Sequence, residues 1–239
     1  MVLARGQGVN DTDSWSEKIQ QHALLISIVI TAALNLLAVD LWLDQIFLTF
    51  VHEASHGLAA VLTGGTVLSL SIQPDGSGLA LTRGGIRPII LCAGYAGSCL
   101  SGAGLLLAVR NRGWERWVCL ALGGVMAWVT VVYVRSVFGF FIGTLMAIGF
   151  VWVGFRGSGW QLSVMLSFLA VRSILNSFSD LINLFRQAGG PQLTDAALLS
   201  QELTLGLVPP VVFAGLIAAV SLACLWGVVH WGWAREDTV

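Results

Sequence analysis

Long apolar runs alternate with short polar connections along most of the chain. Seven such runs cover residues 23–39, 45–62, 86–109, 117–134, 137–155, 161–185 and 211–229. Each is close to the roughly 17 to 25 residues that a helix needs to cross a bilayer. The pattern predicts an all-α polytopic membrane protein with about six or seven transmembrane helices.

Residues 66–83 follow a different period. Apolar and small polar side chains alternate on both sides of a turn-rich cluster at residues 73–78. This alternation predicts a β-hairpin directly after the second helix. An exposed strand edge there could pair with an extended peptide, and a plain connection between helices is the alternative interpretation.

The composition supports a membrane location. The chain has 239 residues, of which 56% are hydrophobic and only 10% charged, whereas soluble domains have about 25% charged residues. The net charge of −1 and the lack of a basic block argue against a nucleic-acid partner. We expect a polar tail over residues 1–22, one transmembrane domain over residues 23–230 and a second polar tail over residues 231–239.

The second apolar run contains the motif His-Glu-x-x-His. Residues four apart share one face of a helix, so His52 and His56 can bind one metal ion from the same side. Glu53 follows the first histidine and can act as the general base on a water molecule. Ionisable residues in a membrane helix are costly and normally mark a functional site.

The sixth run supplies a third candidate ligand. Asp180 shares a helical face with Asn176 and Asn183. Two histidines and a carboxylate are a common ligand set for catalytic zinc, so we predict a Zn²⁺ site formed by His52, His56 and Asp180.

Two alternatives concern the aspartates. Asp180 could instead form a salt bridge with Arg172 or Arg186. Asp195 is the competing third ligand, although it could equally be the cap of a short helix that opens at Thr194 or Asp195. Near the first connection, Asp44 is interpreted as a capping or solvated residue at a membrane edge.

These features resemble the site-2 protease family of intramembrane zinc metallopeptidases, in its compact bacterial branch without an added soluble domain. The resemblance covers most of residues 40–230. It rests on the His-Glu-x-x-His helix, the hairpin after it, an aspartate on a later helix, the segment that opens at Thr194 before a proline-initiated last run, and the glycine-rich stretch Ala93-Gly94-Tyr95-Ala96-Gly97.

The resemblance implies a multi-pass protein of a bacterial cell membrane that cleaves a membrane protein or peptide. It implies zinc on His52, His56 and Asp180, with Glu53 as the catalyst. Asp180 is followed by Leu181, whereas the better-studied members have a glycine there.

Our hypothesis from the sequence is a zinc metalloendopeptidase that hydrolyses a peptide bond in or near a membrane segment, with the lipid bilayer as its setting. Asn176 would hydrogen-bond the developing oxyanion or the substrate backbone. One alternative is a zinc-binding regulatory protein without proteolytic activity. The other is an ion or proton transporter. Such a protein is expected to have a pair of interrupted helices in two repeated halves, and the sequence shows no such repeat.

Overall fold

A computed structural model describes residue 15 and residues 18–37, 41–110, 113–187 and 194–234. The two predicted tails lie mostly outside these ranges. In chain order the elements are α1 (Ala23–Leu36), α2 (Trp42–Leu62), β1 (Thr66–Ile72), β2 (Gly78–Arg83), α3 (Arg87–Arg110), α4 (Glu115–Tyr133), α5 (Val137–Arg156), α6 (Gly159–Gln187), α7 (Asp195–Thr204) and α8 (Pro210–Ala234).

The structure confirms an all-α polytopic protein with one small hairpin. Among the described helices, α3, α4, α5, α6 and α8 are long and apolar enough to cross a membrane. Helix α1 is apolar but has only 14 residues. It ends at Leu36, three residues before the end of the apolar run at residues 23–39. Helix α2 has 21 residues but is not one of these five, because its acidic, histidine and amide side chains interrupt the apolar sequence.

The hairpin leaves one of its two edges open in the described part of the chain. Strands β1 and β2 pair antiparallel, from Thr66 opposite Arg83 to Ile72 opposite Gly78. The outer edge of β1 is occupied by the connection between α4 and α5, where the Arg135 N–H donates to the Leu70 carbonyl over 2.9 Å. Among the described residues, strand β2 has no second strand partner on its other edge, where the Ala80 N–H faces the Glu53 carboxylate.

Two of three apolar clusters in the described chain contain most of the buried side chains that hold the helices. The larger one joins α2 and β1 to α4, α5 and α6 around buried side chains such as Phe47, Ile72 and Leu166. The smaller one joins α3, α6, α7 and α8 around Leu184, Leu199 and other side chains. Van der Waals packing of such side chains is what holds helices together in lipid. The second cluster contains Ala196 and Leu199 and so fixes the position of the short helix α7.

Asp44 has a different role from the one predicted. It lies in the first turn of α2 and makes no capping hydrogen bond. It is 6% exposed and forms an ion pair with Arg172 of α6. A second guanidinium nitrogen of Arg172 lies 3.4 Å from Asn35 Oδ1. The prediction of a solvated residue was wrong, because the arginine inside α6 needs a buried counter-charge.

Candidate metal centre

The two histidines of the motif lie side by side on α2. Their ring centroids are 4.8 Å apart. His56 Nδ1 is 2.6 Å from the Ile90 carbonyl oxygen of α3. A carbonyl can only accept, so Nδ1 carries the proton and Nε2 remains free to bind a metal. The edge of His52 packs against Tyr95 at a centroid distance of 4.9 Å, which restricts the rotation of its ring.

Asp195 completes a compact group with these histidines. Its Oδ2 atom lies 3.9 Å from His52 Nε2 and 3.7 Å from His56 Nε2. All three candidate ligand atoms lie within 4.8 Å of one another. Two ligands of one tetrahedral zinc ion, each 2.0–2.2 Å from it, are about 3.3–3.6 Å apart, so a shift of a few tenths of an ångström would bring Asp195 and the histidines to a shared ion.

The start of α7 explains why the Asp195 carboxylate is available. Thr194 is the N-cap, and its Oγ1 atom accepts a hydrogen bond of 3.3 Å from the Ala197 N–H. Asp195 is the first residue of the helix and is not needed for capping. Buried Leu199 and a 2.9 Å ion pair between Arg87 and Glu202 hold α7 against its neighbours.

Gly94 leaves room for the metal centre. A Cβ atom at this position would lie 2.4 Å from His52 Nε2 and 2.5 Å from His56 Nε2. Three residues further along α3, a Cβ atom at Gly97 would lie 2.2 Å from the Ser55 hydroxyl oxygen. The glycines of α3 therefore allow close approach to α2 and keep the space in front of both imidazole nitrogens open.

Asp180 is near this group but does not belong to it. Asn176 donates a hydrogen bond of 2.7 Å from Nδ2 to Asp180 Oδ2, so the carboxylate is held toward its own helix. The structure shows no ion pair between Asp180 and either Arg172 or Arg186, all of which it describes. The predicted set of His52, His56 and Asp180 is thus not the set that the fold brings together, because α7 places Asp195 beside the histidines.

A polar cavity of about 300 Å³ lies beside the histidines. It is lined by His52, Glu53, Asn176, Asp180, Asn183 and Thr194, by Gln45 and Thr49 of α2, and by Gly76 and Gly78 of the hairpin, among others. Since lipid cannot solvate such groups, we expect water in this cavity.

Glu53 lies between the cavity and the hairpin. It is 8% exposed. A Cβ atom at Gly78 would lie 2.6 Å from Glu53 Cγ and 2.8 Å from Oε1. Thr49, one turn earlier, donates a hydrogen bond of 2.7 Å from its hydroxyl to the Gly76 carbonyl. The glycine at the start of β2 thus lets the strand edge and the Glu53 carboxylate share one side of the cavity.

The polytopic fold and the histidine–carboxylate group define a membrane protein with a site of the metallopeptidase class. A family model described as Peptidase M50B-like matches residues 23–228, and the chain belongs to this family, the site-2 protease family of membrane metallopeptidases. Comparisons with curated proteins and with solved structures returned no match. The family consists of zinc metalloproteases, and the residues that the fold assembles suit that metal.

Proposed function

We propose that this protein is an intramembrane zinc endopeptidase that cleaves a peptide bond within or beside a membrane segment of a protein substrate, in the membrane of a bacterial cell. The observation that carries the proposal is the compact group of His52, His56 and Asp195 beside a polar cavity that His52 and Glu53 line. Family membership supports the reaction class.

We assign the three ligands to His52 Nε2, His56 Nε2 and one carboxylate oxygen of Asp195. This replaces the expectation that Asp180 is the third ligand, because the distances from Asp195 suit one shared ion. Zinc, when bound, supplies a Lewis acid that polarises the scissile carbonyl and lowers the pKa of water.

Glu53 is the proposed general base. Its carboxylate borders the cavity directly after the first ligand in the sequence. It would accept a proton from the attacking water and transfer it to the nitrogen of the leaving amine. Asn176 also borders the cavity, and its amide oxygen is available to a substrate backbone N–H, since the amide nitrogen is engaged by Asp180.

The hairpin is the proposed binding edge for the substrate. Strand β2 has a free edge in the described part of the chain, and Gly78 at its start approaches Glu53. A peptide that pairs with this edge would be extended, and its backbone would run past Glu53. A transmembrane helix would therefore have to unwind locally before cleavage.

The replacement Glu53→Gln tests the proposal against a zinc-binding protein without activity. Wild-type and variant proteins are purified in detergent with zinc, their metal content is measured by mass spectrometry, and cleavage of added membrane proteins is followed by gel and mass spectrometry. We expect nearly one zinc per chain in both proteins and a loss of about 10²- to 10⁴-fold in rate, the usual contribution of a general base. A wild-type protein that binds zinc but cleaves nothing, with unchanged cellular behaviour of the variant, would favour the regulatory alternative.

A further inference from the structure

Asp180 is the charged group in the cavity that the proposed zinc site does not use. It borders the cavity together with His52 and Glu53. Among the described residues, its only hydrogen-bond partner is Asn176, which donates to Oδ2. The second carboxylate oxygen, Oδ1, is therefore available to a molecule in the cavity, and Asn176 fixes the direction in which the carboxylate points.

The protein provides no cation for this carboxylate within the part of the chain that the structure describes. No lysine or arginine is among the described residues that border the cavity. Arg172, two turns earlier on α6, is engaged by Asp44 and Asn35. Asp180 therefore has no lysine or arginine partner among the described residues, and its Oδ1 atom faces the cavity without a hydrogen-bond donor.

A partly buried carboxylate without a counter-charge is unfavourable, and such a residue in a membrane protein is a functional candidate whose partner should be sought. The cavity is where a peptide must lie if Glu53 is the general base. A positive side chain of the peptide would supply both the missing charge and hydrogen-bond donors for Oδ1.

We propose that Asp180 is a specificity-determining residue that binds a lysine or arginine side chain close to the scissile bond of the substrate. This inference rests on the proposed function and names its substrate class. Basic residues are common at the ends of membrane helices, so the preferred cleavage site would lie where an apolar segment meets a basic flank.

Peptide binding to a zinc-loaded Glu53→Gln protein tests the inference without requiring cleavage. This background also removes the other unligated carboxylate of the cavity. The probes are fluorescent, N-acetylated, C-amidated apolar peptides of about twelve residues that differ at one central position by lysine, glutamine or glutamate. Acetylation ensures that only the side chain can supply a cation. The second protein adds Asp180→Asn, and a matched control adds Asp75→Asn, which removes one exposed carboxylate at the tip of the hairpin.

We expect the lysine peptide to bind about tenfold more tightly than the glutamine peptide, as one charge-assisted contact would give. This preference should disappear with Asp180→Asn and persist with Asp75→Asn. Equal binding of the lysine and glutamine peptides, absence of binding, or a preference that survives Asp180→Asn would overturn the inference.

Zinc content separates this inference from the proposed function. Asp180→Asn should keep the zinc content of the wild-type protein. If that variant loses zinc, Asp180 is a ligand and the specificity role is refuted, while a zinc endopeptidase remains. If the wild-type protein itself binds no zinc, the proposed function fails, whatever the peptide preferences are.

Discussion

Replacement of Gly94 by alanine would test the metal centre where helix α3 approaches both histidines. The added methyl carbon would lie 2.4 Å and 2.5 Å from the Nε2 atoms of His52 and His56. Ordinary contacts of a Cβ atom begin near 3.4 Å, so each nitrogen would have to move by roughly 1 Å. Zinc sites tolerate deviations of only about 0.2 Å in their ligand distances. The substitution should therefore prevent both histidines from binding one ion.

The expected effect is a fall of at least about 100-fold in zinc affinity, since changes to residues that merely orient the ligands already reduce affinity by about 10- to 100-fold. Affinity is measured by competition with a chelator, and the metal is then quantified by mass spectrometry. Hydrolysis should be lost together with the metal.

Gly104→Ala is the matched control, because it lies on the same helix and a Cβ atom there meets nothing within 4 Å. Both substitutions favour the helix by up to about 1 kcal/mol, so a lower helix propensity cannot explain loss of metal. Thermal unfolding without zinc shows whether the Gly94 variant is folded. A folded Gly94→Ala protein with the zinc affinity of the wild type would refute the assigned metal centre.

Three further substitutions probe separate parts of the structure. Asp195→Asn should reduce the zinc content after dialysis to well below one ion per chain, which metal analysis would detect, and full retention would contradict its assignment as a ligand. Gly78→Ala should reduce the rate of hydrolysis by at least about tenfold while zinc is retained. The added Cβ atom would lie 2.6 Å from Glu53 Cγ and would displace the general base. An unchanged rate in a peptide-cleavage assay would count against the role of Glu53. Asp44→Asn should destabilise the fold by up to about 3 kcal/mol in denaturant unfolding, since it leaves the partly buried Arg172 without a counter-charge. The double variant with Arg172→Met should lose less than Asp44→Asn alone.

Much of the fold could be predicted from the sequence because the relevant signals are local. Apolar runs gave the helices to within a few residues, and the change of period at residue 66 gave the hairpin. The motif of His52, Glu53 and His56 predicted its own geometry, since residues four apart on a helix share a face. Contacts between distant helices had no such local signal.

The proposed third ligand shows what local reasoning could not decide. Asp180 and Asp195 are both polar residues in plausible positions, and the choice depends on where the ten-residue helix α7 packs. The sequence did contain a clue, because Thr194 and Asp195 are both good caps and a helix start uses one cap. If Thr194 caps the helix, the Asp195 carboxylate is available for another role. In the same way, Arg172 inside an apolar helix required an acidic partner, and Asp44 could have been considered for it.

Helix α3 unites the parts of the site, although it provides none of its ligands. Arg87 binds Glu202 of α7, Ile90 accepts the hydrogen bond of His56, and Gly94 borders both imidazole rings. Gly97, which packs against α2, continues this series. Successive positions in the series are three or four residues apart, so all four lie in one stripe along the helix.

Rotation of α3 by one residue, or about 100°, would displace the carbonyl that orients His56 and put a side chain in front of the ring nitrogens. It would also break the ion pair that holds the helix bearing Asp195. The register of α3 therefore determines whether the histidines and the aspartate meet, and this explains why the glycine-rich stretch belongs to the site as much as the motif itself does.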